Sequence, residues 1–247
     1  MRHVKATFML LARSSIYRLL LAFLLMGAAQ GWLFYQTVSS QLLMGTPSLE
    51  VAVDDAKLSL IFGIGAILAF IILAAVGCEL GSKQGYTLKR LPLTEKGVFL
   101  CQSVYNSFAY LLLWAVELLI TYALCQLYIS MADGAYLSNQ TIMLAYYRSD
   151  LLHTLLPLAD VTLWIRNITL VLSLGITTAA VPLYQRRGTG IYDNQMWPSV
   201  IPVGAFFFVV RSFFVQSSYA LVFALVLLAY ALALMGFVML RREEVEP

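Results

Sequence analysis

Apolar residues run in blocks of roughly bilayer length along this chain, and the polar positions gather between those blocks instead of alternating with them. Residues 1–15 are the exception. Arg2, Lys5 and Arg13 fall between Val4, Phe8, Met9, Leu10 and Leu11, which gives a helix one charged and one apolar face and predicts an amphipathic helix lying in the membrane interface. The first span is predicted over 16–35, where Gly27 and Gly31 stand four apart and allow a second helix to come close. Ala28, Ala29 and Gly31 are followed by further aromatic and apolar residues, so this helix is expected to be retained and not cleaved as a leader. The polar stretch 36–57, with Pro47, Glu50, Asp54 and Asp55, reads as an outer loop.

Further spans are predicted over 58–78, 98–129, 163–184, 198–214 and 219–240. The third is longer than one crossing needs and is expected to tilt or to project into water. Residues 130–162 carry Asp133, Asn139, Arg148, Asp150, His153 and Asp160 and are placed outside. The fold class expected is all-α: a polytopic membrane protein with six transmembrane helices and an N-terminal interfacial helix, forming one transmembrane domain over 1–247.

Composition makes the bilayer a necessity. The chain is 61% hydrophobic and only 12% charged, with a mean hydropathy of +0.81, whereas a soluble domain carries about 25% charged residues. Lipid has to be the solvent for most of this apolar surface. The charges then give orientation. Twelve of the 16 Lys and Arg fall on one set of connections: Arg2, Lys5, Arg13 and Arg18; Lys83, Lys89, Arg90 and Lys96; Arg186 and Arg187; Arg241 and Arg242. Lys57, Arg148, Arg166 and Arg211 lie elsewhere. The positive-inside rule therefore predicts an even number of spans with both termini in the cytoplasm. Bases at the ends of apolar runs speak for a membrane surface as partner and against nucleic acid.

Enzyme chemistry finds little to work with. Cys78, Cys101 and Cys125 lie in or beside apolar segments without a CxxC pair or matched histidines, so neither a disulfide framework nor a zinc site is expected. Gly81-Ser82-Lys83 lacks the order of a phosphate-binding loop, and no HExxH pair or GxSxG elbow is present. The chain is expected to have no catalytic residues, metal or cofactor of its own. His153 reads as an interfacial residue, and the triplets at Asn139 and Asn167 as chance matches to a glycosylation signal.

The most informative stretch is 79–97. It combines Gly81 and Gly85, then Tyr86, Thr87, Leu88, Lys89, Arg90, Leu91 and Pro92, then Leu93-Thr94-Glu95-Lys96-Gly97. Proline fixes the backbone, and Thr94 is placed to cap a helix that starts into span three. An ordinary basic loop and a short surface helix docking on a cytosolic partner through Leu88, Leu91 and Leu93 both fit these residues.

With its basic N-terminus, six spans and this Gly-Tyr-Thr-Leu-Lys-Arg-Leu-Pro-Leu-Thr-Glu-Lys turn, the chain resembles the permease subunits of ABC-2 type bacterial exporters. The resemblance covers the whole chain in topology but only residues 81–97 in motif. It implies a multi-pass protein of the bacterial cell membrane whose residues 79–97, with Gly85, Tyr86, Thr87, Leu88, Lys89, Arg90, Leu91 and Pro92 at their centre, couple to separate ABC ATP-binding subunits. ATP and Mg would sit in those partners, and a second permease copy or a homologous permease would complete the pathway. Two features depart from the family: the long 130–162 segment, and a connection between spans five and six too short for re-entrant helices. The alternative is a non-transporting scaffold or sensor whose same loop recruits another cytosolic protein.

Within span three, Gln102, Asn106 and Tyr110 recur every four residues and share a helix face, with Glu117 seven residues further on. Glu117 is expected at bilayer depth, where a carboxylate must face the bundle interior. Arg211 in span five is the one intramembrane base expected to be available to it. Two roles are open for these five residues: lining a pathway or subunit contact, or joining helices by buried hydrogen bonds.

Overall fold

In the computed structural model, residues 2–42, 48–77, 94–132, 139–158, 160–186 and 217–240 are described. They form eight helices: α1 Arg2–Leu42, α2 Leu49–Asp55, α3 Leu58–Gly77, α4 Glu95–Met131, α5 Asn139–Arg148, α6 Asp150–Leu155, α7 Val161–Arg186 and α8 Ser217–Leu240. Five of them, α1, α3, α4, α7 and α8, are long and apolar enough to cross a membrane. The described chain is thus an all-helical membrane protein. The span expected over 198–214 lies outside the described residues, as does Arg211.

The four helices α1, α3, α7 and α4 form a ring in which each touches the next, and α8 packs on the outer side of α7. Small residues set the closest approach. At Gly175 of α7 an added Cβ would collide with the Ser107 side chain, 2.8 Å from the Ser107 main-chain nitrogen and 3.0 Å from the Ser103 carbonyl oxygen. The Gly27/Gly31 pair is used only in part. Gly27 faces Ile120 of α4, where a Cβ would lie 3.1 Å from Cδ1, while Gly31 faces open space.

α1 corrects the expectation of a separate interfacial helix. It continues without a break through residues 15 and 16, and Thr7, Leu11 and Ser15, four residues apart, are fully buried. Phe8 meets Tyr105 of α4 edge to face at 5.6 Å, and the Ser15 hydroxyl bonds that of Tyr105 at 2.5 Å. Of the apolar residues that suggested a membrane-facing side, Leu11 is buried and Phe8 meets Tyr105, while Met9 stays 76% exposed. The stretch of α1 long and apolar enough to cross a membrane runs over Lys5–Leu42, with Tyr17, Trp32 and Tyr35 exposed along it.

Polar contacts tie the helices together near both ends of α3 and α4. At one face, Thr94 caps α4 by accepting a hydrogen bond from Gly97 N at 3.2 Å, as its position predicts, and Lys96 Nζ reaches the Met239 carbonyl at the end of α8 at 2.8 Å. At the other face, Gln30 Nε2 donates to the carbonyl of Leu58, the first residue of α3, at 3.4 Å. α3 has 20 residues, about 30 Å of helix, which is one bilayer core.

Beyond Leu58 the ends of α1 and α4 project, as the excess length of the third span predicts. The short helices wrap around this projection to make a cap: α2 packs on α1 and α5, and α6 on α5 and α4. Leu49, Ala52, Val53, Ile142, Ala145, Leu151, Leu152 and Leu155 bury their side chains in one apolar core with Phe34, Val38, Leu124 and Tyr128. Polar ties complete it: Gln41 Nε2 to Asp55 Oδ2 at 2.6 Å, and Trp114 Nε1 to the Leu155 carbonyl at 3.0 Å. Residues 36–57 and 130–162, read as connections, are helical in large part because they have this apolar surface to cover.

Candidate functional site

α4 carries the polar stripe on its inner side. Gln102, Asn106, Tyr110 and Glu117 are all buried, with Gln102 and Glu117 at 0% exposure. The structure divides them into two groups. Tyr110 faces α7, its hydroxyl 3.0 Å from Thr178 Oγ1. Gln102 leaves both side-chain polar atoms, and Asn106 its Nδ2, without a hydrogen-bond partner among the described residues. Unsatisfied amides in an apolar bundle are costly, so these two are the natural contact points for a polar group brought from elsewhere.

Glu117, two turns further along the same face, meets α1 and the start of α3. Its Oε1 accepts from Gln30 Nε2 at 2.7 Å, and the same Nε2 contacts the Leu58 carbonyl. Glu117 thus stands level with Leu58, the first residue of α3. On the cap side Thr121 Oγ1 donates to the Glu117 main-chain carbonyl at 2.9 Å and lies 3.3 Å from the Tyr146 hydroxyl of α5. Burial pushes the Tyr146 phenol up, with the Thr121 hydrogen bond opposing.

Gln30 escaped the sequence reading. Its signal is present, an amide inside an apolar block between Gly27 and Gly31, but nothing local links it to a residue 87 positions away.

Arg166, inside the span predicted over 163–184, lies in α7 and is 4% exposed. It donates to Asn167 Oδ1 from Nε at 3.3 Å and from Nη2 at 3.0 Å. Asn167 Nδ2 in turn donates to the Thr154 carbonyl of α6 at 2.8 Å. The triplet at Asn167 is therefore part of a buried tie between α7 and the cap. His153, expected at the interface, has its Nε2 3.0 Å from Asp160 Oδ2, and its ring is partly exposed.

The residues expected to couple to a partner, Gly85, Tyr86, Thr87, Leu88, Lys89, Arg90, Leu91 and Pro92, lie outside the described residues. What is described is where that stretch ends, at Thr94 and Lys96, on the face shared by the start of α4 and the end of α8. Among the described residues no group of three His, Cys, Asp or Glu side chains is placed to hold a metal ion. Comparison with protein-family models, with curated proteins and with solved structures finds no match for this chain.

Proposed function

We propose that this chain is the membrane-spanning permease subunit of an ATP-driven exporter of the bacterial cell membrane, working as a dimer and coupled to separate ATPase subunits through residues 79–97. One observation carries the reading beyond the sequence resemblance. The stretch enters α4 at a capped start that Lys96 ties to the end of α8, so a push delivered to the loop would reach two spans together. The unsatisfied amides of Gln102 and Asn106 suit a pathway or subunit contact.

Six crossings with cytoplasmic termini belong to this proposal, and helix direction supports them. Leu170 of α7 clusters with Ala224 and Leu227 of α8, and Ala179, Ala180 and Leu183 cluster with Ala231 and Val238. The two helices therefore run parallel, an arrangement that an even number of crossings accommodates. The basic residues Lys5, Arg13, Arg18 and Lys96 lie toward one face and the acidic residues Glu50, Asp54, Asp55 and Asp150 toward the other, which supports a cytoplasmic N-terminus.

The second reading, a non-transporting scaffold or sensor, draws on the cap: a folded projection on the outer side is a suitable element for sensing. A pulldown of the tagged chain from its native membrane in mild detergent, analysed by mass spectrometry, separates the two. Recovery of a nucleotide-binding subunit, lost when Tyr86, Lys89 and Arg90 are replaced by alanine, is expected for the exporter. Recovery without any ATPase would favour the scaffold.

A further inference from the structure

Where α1, α3 and α4 meet below the cap, buried acceptors outnumber buried donors. Gln30 and Glu117 are both 0% exposed. The Gln30 amide nitrogen serves Glu117 Oε1 at 2.7 Å and the Leu58 carbonyl at 3.4 Å. That leaves Glu117 Oε2 and Gln30 Oε1, two buried acceptor oxygens with no donor among the described residues. An ionised carboxylate is acceptor-only, and in apolar surroundings it needs an opposite charge or several donors. A single added proton removes the charge and turns one acceptor into a donor.

We propose that Glu117 is a proton-binding site, occupied when the seam between α1, α3 and α4 is closed and emptied when it loosens. The groups around it suit that role. α1 presents Gln30 and α3 the Leu58 carbonyl, neither of which titrates. α5 brings the Tyr146 hydroxyl, through Thr121. Among the described residues no cation acts on the carboxyl. Losing the proton would set a bare carboxylate beside the Gln30 and Leu58 oxygens with one amide to share, and these elements could relieve that only by parting or admitting water. The site lies level with the start of α3, directly under the cap, so the ligand is a proton exchanged with the aqueous side on which the cap stands. None of this depends on the exporter reading.

The test is infrared difference spectroscopy on the full chain in lipid vesicles, followed through a pH titration beside thermal unfolding. A carboxylic-acid carbonyl band is expected at neutral pH, absent in Glu117→Gln and lost in alkaline buffer together with a fall in the unfolding midpoint. Glu117→Gln, neutral and of the same shape, is expected to match the unaltered chain at neutral pH and to lose that alkaline fall. Should Glu117→Gln fail to assemble, Glu117→Asp is used, which should shift the band. No acid band at neutral pH would overturn the proposal, since it would mean a permanently ionised carboxylate of the kind that pairing with Arg211 would produce. So would an acid band unaffected by both substitutions.

Discussion

Lys96, in the first turn of α4, donates from Nζ to the carbonyl of Met239, in the last turn of α8, over 2.8 Å. The carbonyls at a helix end have no partner within the helix, and a cation there is also favoured by the helix dipole. Replacing Lys96 with methionine keeps most of the apolar stem and removes the donor. The expected cost is about 1 kcal/mol for a half-buried, charge-assisted bond. It should appear as a lower unfolding midpoint in detergent and as faster hydrogen exchange in the last turn of α8.

Gly175 sits against the backbone of α4 at Ser103 and Ser107. An alanine there meets main-chain atoms, which cannot rotate aside, so α4 and α7 must separate. Gly175→Ala is expected to destabilise the bundle by about 1 to 3 kcal/mol, the usual range for overpacking, despite alanine's better helix propensity. Thermal unfolding in detergent measures it.

The two glycines of α1 should respond in opposite directions. Gly27→Ala presses on the Ile120 side chain, whereas Gly31→Ala enters open space and gains helix propensity of up to about 1 kcal/mol. Unfolding midpoints of the two variants, compared in one detergent, check the sign. Equal losses would mean that Gly31 also packs against something, such as a second copy of the chain.

Asp54, on the cap helix α2, has its carboxyl pushed up from the ordinary value of 3.8 by partial burial first and then by the charge of Asp150. A carboxyl that holds its proton more tightly folded than unfolded lowers stability once it ionises. The penalty is present at neutral pH and relieved as pH falls through the raised value toward 3.8. Asp54→Asn is therefore expected to raise the unfolding midpoint slightly at neutral pH, and the gain should disappear below about pH 4. A gain independent of pH would point to packing instead of charge.

Several features were legible in the sequence because they depend on local rules. Thr94 precedes the helix it caps. α4 is too long for one crossing, and Gln102, Asn106, Tyr110 and Glu117 recur at the helical period and are all buried. Backbone hydrogen bonding, helical periodicity and bilayer thickness act over a few residues or a single segment, so one stretch of chain contains the information.

Tertiary packing decided the rest. That Glu117 meets Gln30 beside the start of α3, that Ser15 turns toward Tyr105 of α4, that Asn167 reaches the Thr154 carbonyl, and that residues 139–155 fold back as a cap all depend on contacts between different helices. In an apolar bundle nearly every helix face is hydrophobic, so hydropathy says little about which face meets protein and which meets lipid. The choice falls to shape, at Gly175 against Ser107, and to the few buried polar groups that must find one another.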